Sequence, residues 1–195
     1  VGSRPDSHIV MVMPLDGKKS EEATKGGPPA ELPFVNVHRY LKGLGLRVPH
    51  IYRYEPEAGL MVLEDLGDEL FELAQGRSQA DRERWYGLAV DTLAKLRVKS
   101  ETTPDTGCLA FSRAFDADLL EWELHHFRAY GIEARLGLTL SGPDLARMGV
   151  LFRQLAERLD QEEKGLTHRD YQSRNLMIKD GELVVIDFQD ALQGM

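Results

Sequence analysis

Three side chains near the end of the sequence have the types and the spacing that phosphate chemistry requires. Asp170 is followed five positions later by Asn175, and Asp187 comes twelve positions after Asn175. A carboxylate can accept a proton from a hydroxyl group, and carboxylate and amide oxygens are the hard ligands that Mg²⁺ prefers. These groups therefore predict magnesium-assisted transfer of a phosphoryl group to an alcohol.

The sequence around these residues narrows the prediction. Residues 168–175 are His-Arg-Asp-Tyr-Gln-Ser-Arg-Asn, and Asp187 is followed by Phe188. This H-R-D-x-x-x-x-N pattern with a later D-F pair is the phosphoryl-transfer signature of the protein-kinase superfamily. It assigns Asp170 as the base that positions the attacking hydroxyl, and Asn175 and Asp187 as magnesium ligands. Four such positions arise by chance in a chain of this length about once in a thousand sequences.

A predicted β-hairpin brings the two metal ligands together. Apolar runs at 176–179 and 182–186 flank Asp180-Gly181. An Asp-Gly pair between apolar runs is a strong signal for a two-residue hairpin turn. Because cross-strand partners lie symmetrically about this turn, Asn175 is expected opposite Ile186, one position from Asp187.

The composition excludes several classes of function. The chain has 195 residues and a net charge of −8, which argues against nonspecific binding to nucleic acid or to an anionic membrane. No apolar run approaches the ~20 residues of a membrane helix, and no signal peptide is visible. The single cysteine, Cys108, cannot form an internal disulfide, so a cytoplasmic location is the simplest expectation.

The elements along the chain predict an α+β, protein-kinase-like fold with two lobes. A partial nucleotide-binding lobe and hinge are expected at 1–66, and a partial helical catalytic and substrate lobe at 67–195. The chain starts almost at once in a strand and stops just after the metal-binding motif, so we expect a fold that is truncated at both ends. The first expected elements are a buried strand at 8–13, a loop at 16–32, a helix at 33–44, a hairpin of strands at 50–54 and 59–63, and a hinge at 64–68. Three helices follow, with apolar stripes Trp85 to Leu96, Leu120 to Phe127 and Leu145 to Leu159. The first of them is expected to be capped near Ser78, and the last at Ser141 or Gly142.

The sequence resembles the aminoglycoside phosphotransferase and choline kinase family over nearly its whole length. Within that family it is most similar to bacterial kinases that phosphorylate the anomeric hydroxyl of N-acetylmuramate and N-acetylglucosamine. The supporting runs are His-Arg-Asp-Tyr-Gln-Ser-Arg-Asn at 168–175, Ile-Asp-Phe-Gln-Asp at 186–190, Leu-Glu-Asp-Leu-Gly at 63–67 and Glu-Leu-His-His-Phe at 123–127.

The resemblance implies further site residues and a cofactor. Backbone groups of Leu63 and Asp65 are expected to bind the adenine of ATP, with Mg²⁺ on its phosphates. Glu123 occupies the place of an acidic residue near the sugar pocket, although a solvated helix surface would also explain it. Arg174 is expected either at the phosphate or substrate, or in a surface salt bridge. The lysine that pairs with the α- and β-phosphates in protein kinases is absent, and the first strand offers methionines instead.

The most consistent function is an ATP-dependent small-molecule kinase that phosphorylates a hydroxyl of an amino sugar in cell-wall recycling. An aminoglycoside or choline-type kinase is the alternative within enzymes. A nucleotide-binding scaffold without turnover is the alternative of another class, suggested by the missing lysine. The chain alone is expected to be inactive or weak, and its sequence does not determine the oligomeric state. The neighbouring His125 and His126 face different sides of a helix, so metal binding is not expected there.

Overall fold

A computed structural model describes residues 7–13 and 31–195, so most of the loop predicted at 16–32 lies outside the described residues. The first part of the fold is an antiparallel sheet in the order β1-β3-β2. Its strands are β1 (His8–Val12), β2 (Ile51–Glu55) and β3 (Leu60–Glu64), and helix α1 (Pro33–Gly43) lies between β1 and β2 in the chain.

The prediction of a buried strand at 8–13 is right about the strand but wrong about its burial. Strand β1 pairs only with β3, so it is an edge strand of the described sheet. The side chains of Ile9, Val10 and Val12 are 48%, 59% and 73% exposed. An apolar, β-branched run indicates a strand, but the position of the strand in the sheet decides how much of it is buried.

Helices dominate the second part of the chain. They are α2 (Phe71–Gln75), α3 (Gln79–Thr102), α4 (Ala117–His126), a π-helical continuation at Phe127–Ala134, and α5 (Gly142–Asp160). Both predicted N-caps are confirmed, because the side-chain oxygens of Ser78 and Ser141 accept the backbone N–H groups of Asp81 and Asp144 at 3.0 and 3.2 Å. The predicted apolar stripes are only partly buried, since Leu93, Phe127 and Leu155 are 41%, 59% and 45% exposed.

Two short antiparallel ribbons follow the helices. Strand β4 (Gly165–Thr167) pairs with β7 (Leu192–Gly194), and β5 (Leu176–Lys179) pairs with β6 (Glu182–Val185). The second ribbon has the predicted register, with Leu176 opposite Val185 and Lys179 opposite Glu182. Positive φ angles of 53° at Asp180 and 80° at Gly181 match the mirror-image turn that an Asp-Gly link favours.

The buried core joins the two predicted lobes. One cluster combines α1 residues such as Val37 and Leu41 with Leu96, Leu166 and Phe188. A second cluster packs α2 and α3 against the β5–β6 ribbon through Phe71, Trp85 and Ile178, among others. The boundary predicted at position 66 stays a prediction, because the first cluster contains residues from both sides of it. Within the ranges that the structure describes, every helix is too short or too polar to serve as a membrane span.

Candidate active site

The catalytic loop lies between β4 and β5 and is anchored by a buried histidine. His168 is 3% exposed, and its Nε2–H donates to the carbonyl of Ile186 at 2.9 Å. Burial lowers the pKa of His168, and the nearby charges of Asp187 and Asp170 oppose this shift only in part. Its Nδ1 is buried without a hydrogen-bond partner among the described residues, which suits an uncharged ring. His168 therefore supports the loop by hydrogen bonding.

Asn175 connects the loop to the ribbon. Its Nδ2 donates to the carbonyl of Asp170 at 2.9 Å, and its own carbonyl accepts the backbone N–H of Ile186 at 3.0 Å. Because the amide nitrogen is bound to the loop, the Oδ1 end of the buried Asn175 side chain is the end that a cation can use. These contacts bring Asp170, Asn175 and Asp187 to the same end of the β5–β6 ribbon.

Two residues of this region have backbone conformations that side chains rarely adopt. The φ angles of Arg169 and Asp187 are 71° and 61°. Asp tolerates this left-handed region better than most residues, whereas a bulky residue is strained there. The Oδ1 atom of Asp187 accepts Nε2–H of Gln189 at 2.8 Å, which orients the carboxylate. Such conformations are concentrated at functional sites, where the surrounding contacts enforce them.

The donor set of this site fits Mg²⁺. It contains one carboxylate and one amide oxygen, and the side chain of Asp187 is exposed, so phosphate oxygens and water have access. Among the described residues, three or more His, Cys, Asp or Glu side chains nowhere form a group that could hold a metal ion. A site with few protein ligands is the kind that Mg²⁺ shares with a phosphorylated substrate.

The predicted adenine contacts lie at the end of β3. Leu63 is within the central strand of the sheet, opposite Ile9 on one side and Ile51 on the other. Asp65 follows the strand, and its carbonyl accepts Nζ–H of Lys179 at 2.8 Å. The carbonyl oxygen keeps a second lone pair, so this bond leaves both backbone groups of Asp65 able to contact adenine. The contacts at Leu63 and Asp65 stay predictions.

The structure also places the two predicted substrate residues. Glu123 lies on α4 and forms an ion pair with Arg169, at 3.0 Å between Glu123 Oε1 and Arg169 Nη2. Arg174 lies in the 3₁₀ turn Ser173–Asn175 and is exposed. Glu123 is thus close to the catalytic loop, but neither residue is shown to contact a substrate.

An arginine that the sequence analysis missed joins β3 to the β5–β6 ribbon. Arg47 binds the carboxylate of Glu64 through both terminal nitrogens, and its Nε lies 3.3 Å from Oε2 of Glu182. Its carbonyl accepts the backbone N–H of Val185 at 2.9 Å. Hydrogen bonding to Arg47 lowers the pKa of Glu64. These contacts fix the strand before the predicted hinge relative to β6.

The buried histidines make stability depend on pH. Burial lowers the pKa of both His168 and His38, so both remain neutral when folded. An unfolded histidine takes up a proton below pH ~6.5. The contribution of these two buried, neutral rings to the free energy of unfolding is complete above that pH. It is lost as the pH falls toward their pKa values in the folded protein. We expect the free energy of unfolding, measured by urea denaturation, to decrease from pH 7.5 to pH 5.5.

The variant His168→Asn separates the contribution of His168 to this pH dependence from the contributions of other titrating groups. Asn can still donate to a carbonyl but does not titrate, so the decrease in stability between pH 7.5 and 5.5 should be smaller than in the unmodified chain. If the free energy of unfolding decreased equally in the two proteins, His168 would not contribute to the pH dependence of stability.

The fold and the arrangement of these residues define a kinase-like phosphotransferase of mixed α and β structure. Residues 21–195 match the APH phosphotransferase enzyme family. The chain belongs to that family, as the resemblance predicted.

Two curated relatives carry the same name. An N-acetylmuramate/N-acetylglucosamine kinase of Pseudomonas aeruginosa is 32% identical over 180 residues, which cover 91% of this chain and 51% of the relative. A protein of that name from Pseudomonas putida is 31% identical over 169 residues, with 86% and 47% covered. The chain spans about half the length of the curated relatives it matches.

A solved structure supports the fold. The aminoglycoside phosphotransferase APH(2″)-IIa, in a ternary complex with streptomycin and ATP, superposes with a TM-score of 0.55 at 18% identity. The superposition covers 84% of this chain and 55% of that chain. At this identity the likeness shows the fold alone.

Proposed function

We propose that the protein containing this chain transfers the γ-phosphoryl group of ATP to a hydroxyl of an amino sugar. The observation that carries this proposal is the bonding of Asn175 to the Asp170 carbonyl and to Ile186, which brings Asp170, Asn175 and Asp187 to one end of a ribbon. The names of the two Pseudomonas relatives support an amino sugar as the acceptor. ATP as the donor is supported by the ATP-bound phosphotransferase that shares the fold.

Each proposed residue has a distinct part in the reaction. The exposed carboxylate of Asp170 accepts the proton of the sugar hydroxyl and directs its oxygen toward the γ-phosphorus. Asn175 Oδ1 and the Asp187 carboxylate are the protein ligands for Mg²⁺, which, when bound, neutralises charge on the phosphate oxygens. Backbone groups of Leu63 and Asp65 hold adenine. A reaction that consumes ATP also fits the cytoplasmic location expected from a single, unpaired cysteine.

The test is a substrate panel given to the complete gene product that contains this chain. The panel holds N-acetylmuramate, N-acetylglucosamine, kanamycin and choline, each with ATP and Mg²⁺, and ADP release is followed together with phosphorus NMR of the product. We expect product from the N-acetyl sugars. Product from kanamycin or choline alone would replace the proposed acceptor, and ATP binding without any product would favour a scaffold.

A further inference from the structure

We infer that Glu123 is a positioning residue that holds the catalytic loop through Arg169, and that it does so without any activating modification. The inference rests on the proposed phosphoryl transfer. It concerns how Asp170 is kept in place, because Arg169 directly precedes the proposed base.

The backbone of Arg169 needs external support. Its φ angle of 71° lies in the left-handed region, which is unfavourable for a residue with a bulky side chain. Such a conformation persists only where the surroundings enforce it. The buried His168 before it is fixed to Ile186, and the Asp170 carbonyl after it is held by Asn175. The side chain of Arg169 is a further anchor of the loop, directly next to Asp170.

The side chain of Arg169 is held from two directions. It is only 15% exposed, and its Nη2 lies 3.0 Å from Oε1 of Glu123. Its guanidinium carbon lies 5.3 Å from the centre of the Phe115 ring, within the range of a cation–π contact. A partly buried ion pair combined with an aromatic contact is worth more than an ion pair at the open surface.

Glu123 is itself well placed to act as an anchor. Helix α4 begins at a cap in which Asp116 Oδ1 accepts the N–H of Leu119 at 2.8 Å. The same helix is tied to α5 by Arg153, whose Nη1 lies 3.1 Å from both Asp118 and Glu121. The carboxylate of Glu123 is therefore carried by a supported helix.

The anion that pairs with Arg169 is a carboxylate of the chain itself, which is why no activating modification is needed. In regulated protein kinases, phosphorylation orders a loop by forming new pairs between arginine and the phosphate group. In this structure a glutamate built into α4 supplies the anion for the arginine of the H-R-D run. The arginine is thus paired in the unmodified chain, and no phosphorylation is required to hold the loop.

Positioning of the loop by Glu123 differs from the sugar contact that the resemblance implies for this residue, and kinetic constants distinguish the two roles. A residue that positions Asp170 affects kcat, whereas a residue that binds the sugar in the ground state affects KM. We expect Glu123→Ala to lower kcat by about 10- to 100-fold, as small misplacements of a reacting group do, while KM for the sugar changes less than about 3-fold. Glu123→Gln keeps an acceptor oxygen and should retain part of kcat.

The matched control is Glu121→Ala. Glu121 lies on the same helix and also forms an ion pair with an arginine, but that arginine is on α5. Its loss should leave kcat within about 2-fold, because Arg153 lies on α5 rather than in the catalytic loop and keeps its contact with Asp118 across the same two helices. All variants are compared in the complete gene product, with and without phosphatase treatment, and phosphatase should leave the kcat of the unmodified sequence unchanged.

A second measurement keeps the inference independent of activity. Amide hydrogen exchange in residues 168–172 should be faster in Glu123→Ala than in Glu121→Ala. Unchanged exchange, an increase in KM with normal kcat, or loss of activity after phosphatase treatment would each overturn the inference. If the unmodified protein phosphorylates no sugar, the proposed function fails, and hydrogen exchange still decides whether Glu123 holds the loop.

Discussion

Replacing Asp170 with asparagine is expected to lower kcat about 1,000-fold, within the range that general acid–base catalysis contributes. The loop itself should survive, because its hydrogen bonds use the backbone carbonyl of Asp170. That carbonyl accepts the backbone N–H of Gln172 and the side-chain nitrogen of Asn175, each at 2.9 Å. The exposed carboxylate does not take part in either bond, so its loss removes chemistry and preserves the local structure.

Steady-state kinetics with the best sugar of the panel, together with calorimetric titration of ATP, would test this expectation. The affinity for ATP with Mg²⁺ should stay within about 3-fold of the unmodified protein, since the proposed nucleotide contacts are elsewhere. The thermal midpoint should also be unchanged. If Asp170→Asn kept a normal kcat, another group would have to accept the proton. If ATP binding were lost as well, Asp170 would belong to the nucleotide site.

The β5–β6 ribbon shows how much of the fold local sequence can predict. An Asp-Gly pair between two apolar runs was enough to predict the turn, the register and the position of Asn175 opposite Ile186, and all three are confirmed. Such a prediction works because a two-residue turn fixes the pairing of both strands. The helix caps at Ser78 and Ser141 could also be predicted from the sequence, since a cap depends on residues three positions apart.

Contacts between distant positions were not predictable in the same way. Arg47 and Glu64 are separated by 17 positions and Glu123 and Arg169 by 46, and neither pair has a local pattern that marks it. The exposure of β1 and the π-helical turn after α4 depend on which elements pack nearby. The ribbon of β4 and β7 was missed because each strand has only three residues. Sequence alone therefore predicted which groups react, and the structure was needed to find what holds them.

Replacing Asp187 with asparagine is expected to weaken Mg²⁺-dependent binding of ATP about 100-fold, because the site loses its only proposed charged ligand. Asparagine is the right replacement at this position. The φ angle of Asp187 is 61°, and asparagine tolerates that conformation as well as aspartate does, whereas alanine would add backbone strain. Asparagine also keeps an oxygen that can accept the hydrogen bond from Gln189. The change therefore removes one negative charge from an otherwise preserved site.

The same ribbon provides the control for this experiment. Asp180 also has a left-handed backbone, with φ of 53°, but it lies in the turn at the other end of the ribbon. Asp180→Asn thus makes the same chemical change in the same conformation, away from the metal, and should bind ATP normally. Titrations of ATP with Mg²⁺ and with EDTA separate the metal-dependent part of the affinity, which is the only part that Asp187→Asn should reduce. An equal loss in both variants would mean that the ribbon as a whole is destabilised, and no loss in Asp187→Asn would remove Asp187 from the metal site.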